Sequence, residues 1–207
     1  MAETISFLGM QLGYWSLFLA GLAILFTLLK DFILPFIIKP NLKITYISKE
    51  PYKRAPIILH PGSILSAFDR FKVENIGKAT AKNCRCQVYQ VTDSKRKDAD
   101  LQGFPLRWAS RPDSGIDFSK AERLNIGPGE SEFVDLIYMR SDNTTKMFLS
   151  SYNNIFIGMG DNIPVDDYTL KAIISGDNFK PYIVSFEIKK KPELYGFKIK
   201  LLSIKRK

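Results

Sequence analysis

The chain opens on an unbroken apolar stretch. From Ile5 to Leu29 there is no charged side chain, and Gln11 is the only strongly polar one. At about 1.5 Å of rise per residue, a helix of that length exceeds the ~30 Å hydrocarbon layer, so the pattern predicts one N-terminal transmembrane α-helix. The alternative is a cleaved signal peptide. Against it, no Lys or Arg precedes the run, the run is longer than a signal core, and Lys30–Asp31 does not follow a small-residue cleavage pattern. A second apolar stretch, residues 32–38, contains Pro35 and ends at Lys39–Pro40, which reads as an interfacial segment closed by proline.

From Asn41 onward the apolar positions recur every second residue in short runs separated by turn residues, which predicts half-buried antiparallel strands. Strands are expected at 42–47, 57–59, 67–74, 83–91, 104–108, 122–126, 132–139, 155–158, 168–175 and 183–189. A further one is expected within 195–204. Turn chemistry sits between them, as in NIG (75–77), GPG (127–129), SDN (141–143) and GDN (176–178). So many short strands with this spacing predict an all-β, two-sheet antiparallel sandwich. The expected organisation is a membrane anchor with its interfacial segment over 1–40, the sandwich over 41–190 and a basic strand or tail over 191–207.

Charge sets the orientation. The formal net charge is +9. Near the apolar span the N-terminal side has Glu3 and no basic residue, whereas the C-terminal side has Lys30, Lys39, Lys43 and Lys49. The positive-inside rule then places the N-terminus outside and the β-domain in the cytoplasm of a single-pass protein. Within the span, Gly9 and Gly13 form a GxxxG pair, a candidate helix-dimer seam that would make a homodimer. Lipid-facing glycines are the plainer reading.

The stretch 189–207 concentrates the charge. Lys189, Lys190, Lys191, Lys198, Lys200, Lys205, Arg206 and Lys207 face only Glu193, eight basic residues against one acid for a net of +7. Tyr195, Phe197, Ile199 and Leu201 alternate with Gly196, Lys198, Lys200 and Leu202, so a strand here would be apolar on one side and cationic on the other. Tethered near a cytoplasmic leaflet, the cationic side would be drawn to anionic lipid headgroups. The competing reading is a solvated edge strand whose lysines discourage aggregation, followed by a frayed tail. The basic pI near 9.4 also invites nucleic acid, but no nucleic-acid motif is present and the anchor argues against it.

Candidate chemistry is sparse. His60 is the only histidine, and the two cysteines, Cys84 and Cys86, lie on one side of a predicted strand where a mutual disulfide is geometrically awkward. They read as inert core thiols, no metal or cofactor is expected, and the reading is non-enzymatic. An enzyme would need a carboxylate constellation among residues such as Asp117, Glu122, Glu130 and Asp135, which their spacing does not select. Asp161, Asp166 and Asp167 read as turn residues rather than a calcium loop. The irregular stretch 93–119 holds Arg107, Trp108 and Arg111, residue types that dominate interface hot spots, and they are candidate contacts for a protein partner. A strand over 104–108 with Trp108 in the core is the alternative.

Three phrases carry a resemblance: FKVENIGKATA (71–81), LNIGPGE (124–130) and YTLKAIISGDN (168–178). They are similar to the turn grammar of immunoglobulin-like prokaryotic modules, the CARDB-like group, in which V-x-N-x-G-x-A-x-A joins two strands and P-G-E makes a turn. The similarity covers residues 66–190. It implies an immunoglobulin-like sandwich that binds or spaces, with no catalytic residues to transfer. The chain departs from that group in its charge-predicted cytoplasmic placement, since such modules are usually exported, and in the length of 92–119. The combined expectation is a membrane-anchored β-sandwich acting as a protein-binding or scaffolding module near the inner leaflet. The alternatives are an extracytoplasmic adhesion or spacer domain, and a membrane-bound effector binding lipid or nucleic acid.

Overall fold

The structure, a computed structural model, describes residues 12–33, 37–57, 66–99, 101–111, 122–140, 143–150, 162–164, 166–190 and 197–207. Gly9, His60, Asp117, Asp161, Lys191, the strand expected at 155–158 and part of the interfacial segment (34–36) lie outside the described residues. The chain divides into two units, Met1–Lys39 and Pro40–Lys207.

The first unit is a helix, α1 (Leu12–Leu28), prolonged by a π-helical turn over Leu29–Ile33. Leu17, Leu19, Ile24 and Phe26 are each more than half exposed, so the helix is apolar on every side. Such a helix belongs inside a protein or a bilayer. The segment Tyr14–Asp31 is long and apolar enough to cross a membrane. Its Thr27 hydroxyl donates to the Ala23 carbonyl at 2.8 Å, which satisfies it within the helix.

The second unit is antiparallel β-structure, and no helix occurs among its described residues. Its strands are β1 (Leu42–Thr45), β2 (Lys53–Ile57), β3 (Ser66–Asn75), β4 (Ala81–Asp93), β5 (Pro105–Leu106), β6 (Leu124–Ile126), β7 (Ser131–Arg140), β8 (Asn143–Leu149), β9 (Asn162–Pro164), β10 (Tyr168–Ser175), β11 (Tyr182–Lys190) and β12 (Phe197–Arg206). One sheet runs β1-β3-β7-β8-β9, with β2 pairing the other half of the β3 edge that β1 occupies. The second runs β12-β11-β10-β4-β5, with β6 also on β4. Strict alternation forms β10 and β11: Tyr168, Leu170, Ala172 and Ile174 are buried, as are Tyr182, Val184, Phe186 and Ile188. Register pairs Leu170 with Phe186 and Ala172 with Val184, so the two apolar rows face the same way.

The two sheets share one core. Phe71, Val134 and Leu136 of the first and Cys86, Leu170, Val184 and Phe186 of the second belong to a single cluster, and the Phe71 and Phe186 rings lie 5.1 Å apart. Fully burying each such side chain stabilises by roughly 1.5–3 kcal/mol. A second, smaller cluster stacks Phe68, Tyr138 and Phe148 across β3, β7 and β8, at 5.3 and 5.2 Å between centroids. Between the sheets runs a crossing segment. Leu106 pairs with Cys86 of β4, and two residues later Trp108 bridges Val134 of β7. The Ala109 N–H donates to the Phe133 carbonyl and the Asp135 N–H to the Arg107 carbonyl, both within 2.9 Å.

The turn phrases have physical jobs. Asn75 is fully buried at the end of β3. Its Nδ2 donates to the Ala79 and Ile126 carbonyls at 2.7 and 2.9 Å, while its Oδ1 accepts from the Gly77 and Asn41 amides at 3.0 and 3.2 Å. One side chain thereby joins β1, the β3–β4 connection and β6. In the GPG turn, Gly129 has φ +78° and the Glu130 N–H closes on the Gly127 carbonyl, the pattern of a type II turn with Pro at its second position. Asn75→Ala is expected to cost about 2–3 kcal/mol, because it strands two carbonyls and two amides. Denaturant unfolding of the full chain in micelles measures this, and a loss below experimental error would mean that water replaces the side chain.

Candidate functional site

The outward side of β10, β11 and β12 carries a cluster of lysines. Phe197 and Ile199 are buried, which turns Lys198 and Lys200 outward. A bulge between Ser185 and Phe186 shifts the register, after which Lys205 pairs with Ile183 on the outward side. Lys189 lies directly opposite Lys198, and Glu187 opposite Lys200. Glu187 is the one acid in the patch, and Lys189 holds it at 3.1 Å in an exposed pair that contributes little to stability. Lys171 points its ammonium at Gln90 Oε1, 2.9 Å away.

The last residues are docked. Arg206 lies over the Tyr182 ring at 5.4 Å and the Lys207 ammonium over the Tyr89 ring at 5.1 Å, while the Lys207 N–H donates to the Pro181 carbonyl. Both cations are thus engaged with aromatic faces. The frayed-tail expectation is corrected accordingly: the strand continues to Arg206. Of the eight basic residues expected to act together, Lys189, Lys198, Lys200 and Lys205 share the outward side, Arg206 and Lys207 cap its end, Lys190 closes β11, and Lys191 is outside the described residues. A cleft of about 480 Å³ opens beside this surface, lined by Asp93, Arg96, Asp167, Lys171, Glu187 and Lys189 among others. Its lining mixes acidic and basic side chains.

Of the three candidate partner contacts, Trp108 and Arg107 turn inward and Arg111 is half-buried. Trp108 is fully buried, and its Nε1 donates to the Glu122 carbonyl at 3.1 Å. Pairing with β7 forces this, because the residue opposite Val134 shares its inward side. Arg107 turns to Asp135, with Nη2 and Nε donating to Oδ2 at 2.8 and 3.1 Å. Arg111 donates to the Arg123 carbonyl and is half-buried. The spacing of 107, 108 and 111 therefore marks a sheet-crossing segment, with two of its three side chains turned inward. Gly13 lies in α1, its seam partner Gly9 outside the described residues.

Among the described residues the carboxylates do not gather. Glu130 Oε2 accepts from the Gly127 amide in its own turn, and Asp166 accepts from the Asp167 amide. Asp177 receives the Asn83 side-chain amide, and Asn178 ties the Lys82 amide and the Thr80 carbonyl. Among the described residues no three His, Cys, Asp or Glu side chains are grouped to hold a metal. Cys84 and Cys86 are buried, and burial pushes both thiols upward, Cys84 to about 12, so both stay protonated and unreactive at neutral pH. Burial and the nearby Asp69 carboxylate likewise raise Tyr46, whose hydroxyl donates to Asp69 at 3.0 Å.

Sequence reasoning missed one constellation. Asp135, fully buried on β7, stands between two guanidiniums: Arg70 Nη2 is 2.9 Å from Oδ1, opposite the Arg107 contacts to Oδ2. The signal was a single acid inside the apolar run FVDLIYM (133–139). Removing its charge leaves two cations in one half-dry site, so its part is structural.

No protein-family model matches the chain, and no curated protein or solved structure is significantly similar to it. The class that the geometry defines is therefore antiparallel β-structure behind one N-terminal apolar helix.

Proposed function

We propose that the chain is an immunoglobulin-like β-sandwich held in a membrane by α1, and that it works as a non-enzymatic binding or scaffolding module at the inner leaflet with its lysine-bearing sheet toward anionic headgroups. The fold assignment is supported by strand order. β1-β3-β7 in one sheet and β4-β10-β11 in the other parallel the A-B-E and C-F-G arrangement of immunoglobulin domains, and Trp108, bridged to Val134 of β7, stands where strand D would pair with E. The CARDB-like phrasing is in keeping with this, since its first phrase runs from β3 to the start of β4 and Asn75 ties the connection between them. The topology is supported by Lys30, Lys39, Lys43 and Lys49 after the apolar span.

The observation that carries the reading is the outward side of β12, where Lys198, Lys200 and Lys205 face solvent, with Glu187 the one acid paired opposite them among the described residues. Each basic residue near an anionic leaflet contributes about 1 kcal/mol, so three give roughly a hundredfold preference over neutral lipid. The test is amine acylation of the full-length chain in nanodiscs of neutral or anionic lipid. Lys198, Lys200 and Lys205 are expected to label several-fold more slowly in anionic discs and to regain their rate at high salt. Equal labelling in both would sink the lipid contact. A C-terminal reporter active only outside the cell would overturn the inner-leaflet placement and favour an external spacer.

A further inference from the structure

β12 has a second property that its charge does not explain. It is ten residues long and ends its sheet, and among the described residues no strand pairs its outer edge. Natural proteins keep edges short or cover them, because the free N–H and C=O groups are a template for another strand. Ile204, opposite the fully buried Val184, is 43% exposed, and Leu202 at the bulge is 47% exposed. The inward side of the sheet thus runs out of cover at β12. Meanwhile the strand holds Lys198, Lys200, Lys205 and Arg206 and no acid.

These features select an occupant. A second copy pairing β12 with β12 would set lysine rows side by side at about 5 Å, where like charges repel. A bilayer neutralises lysines but offers no strand to the backbone edge. An extended segment with acidic side chains on one side and β-branched apolar ones on the other answers all three needs: main-chain bonds to the edge, carboxylates beside Lys198, Lys200 and Lys205, and cover for Ile204. We propose that β12 takes such an acidic, alternating segment of a partner protein as an added strand. The inference rests on the binding-module reading and needs neither its topology nor its lipid contact.

The probe is a synthetic peptide alternating Glu and Val, offered to the full-length chain in neutral-lipid nanodiscs, beside the same peptide N-methylated at alternate residues. Anisotropy is expected to show saturable binding by the first and roughly tenfold or greater weakening of the second, about 1.4 kcal/mol. Hydrogen exchange is expected to slow at β12 amides. The double variant Lys198→Glu/Lys200→Glu should weaken the first peptide similarly while β10 amides keep their protection, which shows that the domain is still folded. Equal binding of both peptides would reduce the contact to charge alone and overturn the strand. Absence of binding by either would do the same. Lysines shielded by anionic discs, with β12 amides still exchanging in the presence of peptide, would leave the lipid reading standing and this one refuted.

Discussion

Asp135→Ala is expected to destabilise the β-domain by about 3–5 kcal/mol, the largest loss predicted for a charged residue here. The carboxylate is fully buried and the Arg70 and Arg107 side chains are each 11% exposed. Deleting it leaves two positive charges facing one another across a site that water barely enters. For a chain of this length such a loss lowers Tm by roughly 10 °C. The sharper form of the test replaces the trio together, Arg70→Met, Asp135→Leu and Arg107→Met, which removes the uncompensated charge as well as the pair. That triple variant should lose far less than the single one, because a dry ion cluster and an apolar filling of similar volume are close in energy. Hydrogen exchange of β10 core amides reads global opening in both. A single variant as stable as the parent would show that the site is wet.

Trp108→Ala should cost about 3–5 kcal/mol for a different reason. The indole is fully buried in the shared core and its N–H satisfies the Glu122 carbonyl. Its removal opens a cavity and leaves a carbonyl unmatched just where the chain crosses from one sheet to the other. Trp108→Phe keeps much of the volume and loses the hydrogen bond, so it should cost clearly less, about 1–2 kcal/mol. Equal losses for Ala and Phe would assign the effect to the hydrogen bond and remove cavity formation from the account. Faster exchange of β10 and β4 core amides, measured for each variant, gives the two losses and discriminates them.

Much of this fold is visible in the alternation of residues, and the exceptions are instructive. β10 occupies Tyr168–Ser175 as its pattern predicts, because one side is buried throughout. β8, Asn143–Leu149, was hidden: it starts on residues that read as the end of a turn. β5 shrinks to Pro105–Leu106 because the chain leaves one sheet for the other after two residues, and period two says nothing of such a crossing. Arg107 and Trp108 looked like interface residues because residue type is silent on direction, which the pairing to Val134 supplies. Asp135 could have been found from its place in an apolar run, but its two arginines, one on β3 and one in the crossing segment, come together only in the folded chain. The lysines of β12 were legible as a stripe. The bulge that keeps Lys205 on the outward side was not.

The strand order has a kinetic meaning as well. β10, β11 and β12 follow one another in sequence and pair as neighbours, so they close through short loops, on the microsecond scale of hairpins. The pairs at the centre of each sheet, Val73 with Glu132 and Cys86 with Ile174, join distant parts of the chain. Loop-closure entropy must be met before either pairing returns any stability, which places the domain among slow folders, in milliseconds to seconds. A β10–β12 meander formed ahead of the opposing sheet would leave Val184, Phe186 and Ile188 open to water. The lysines of β12 then act as gatekeepers beside an apolar strand that has nothing yet to cover it.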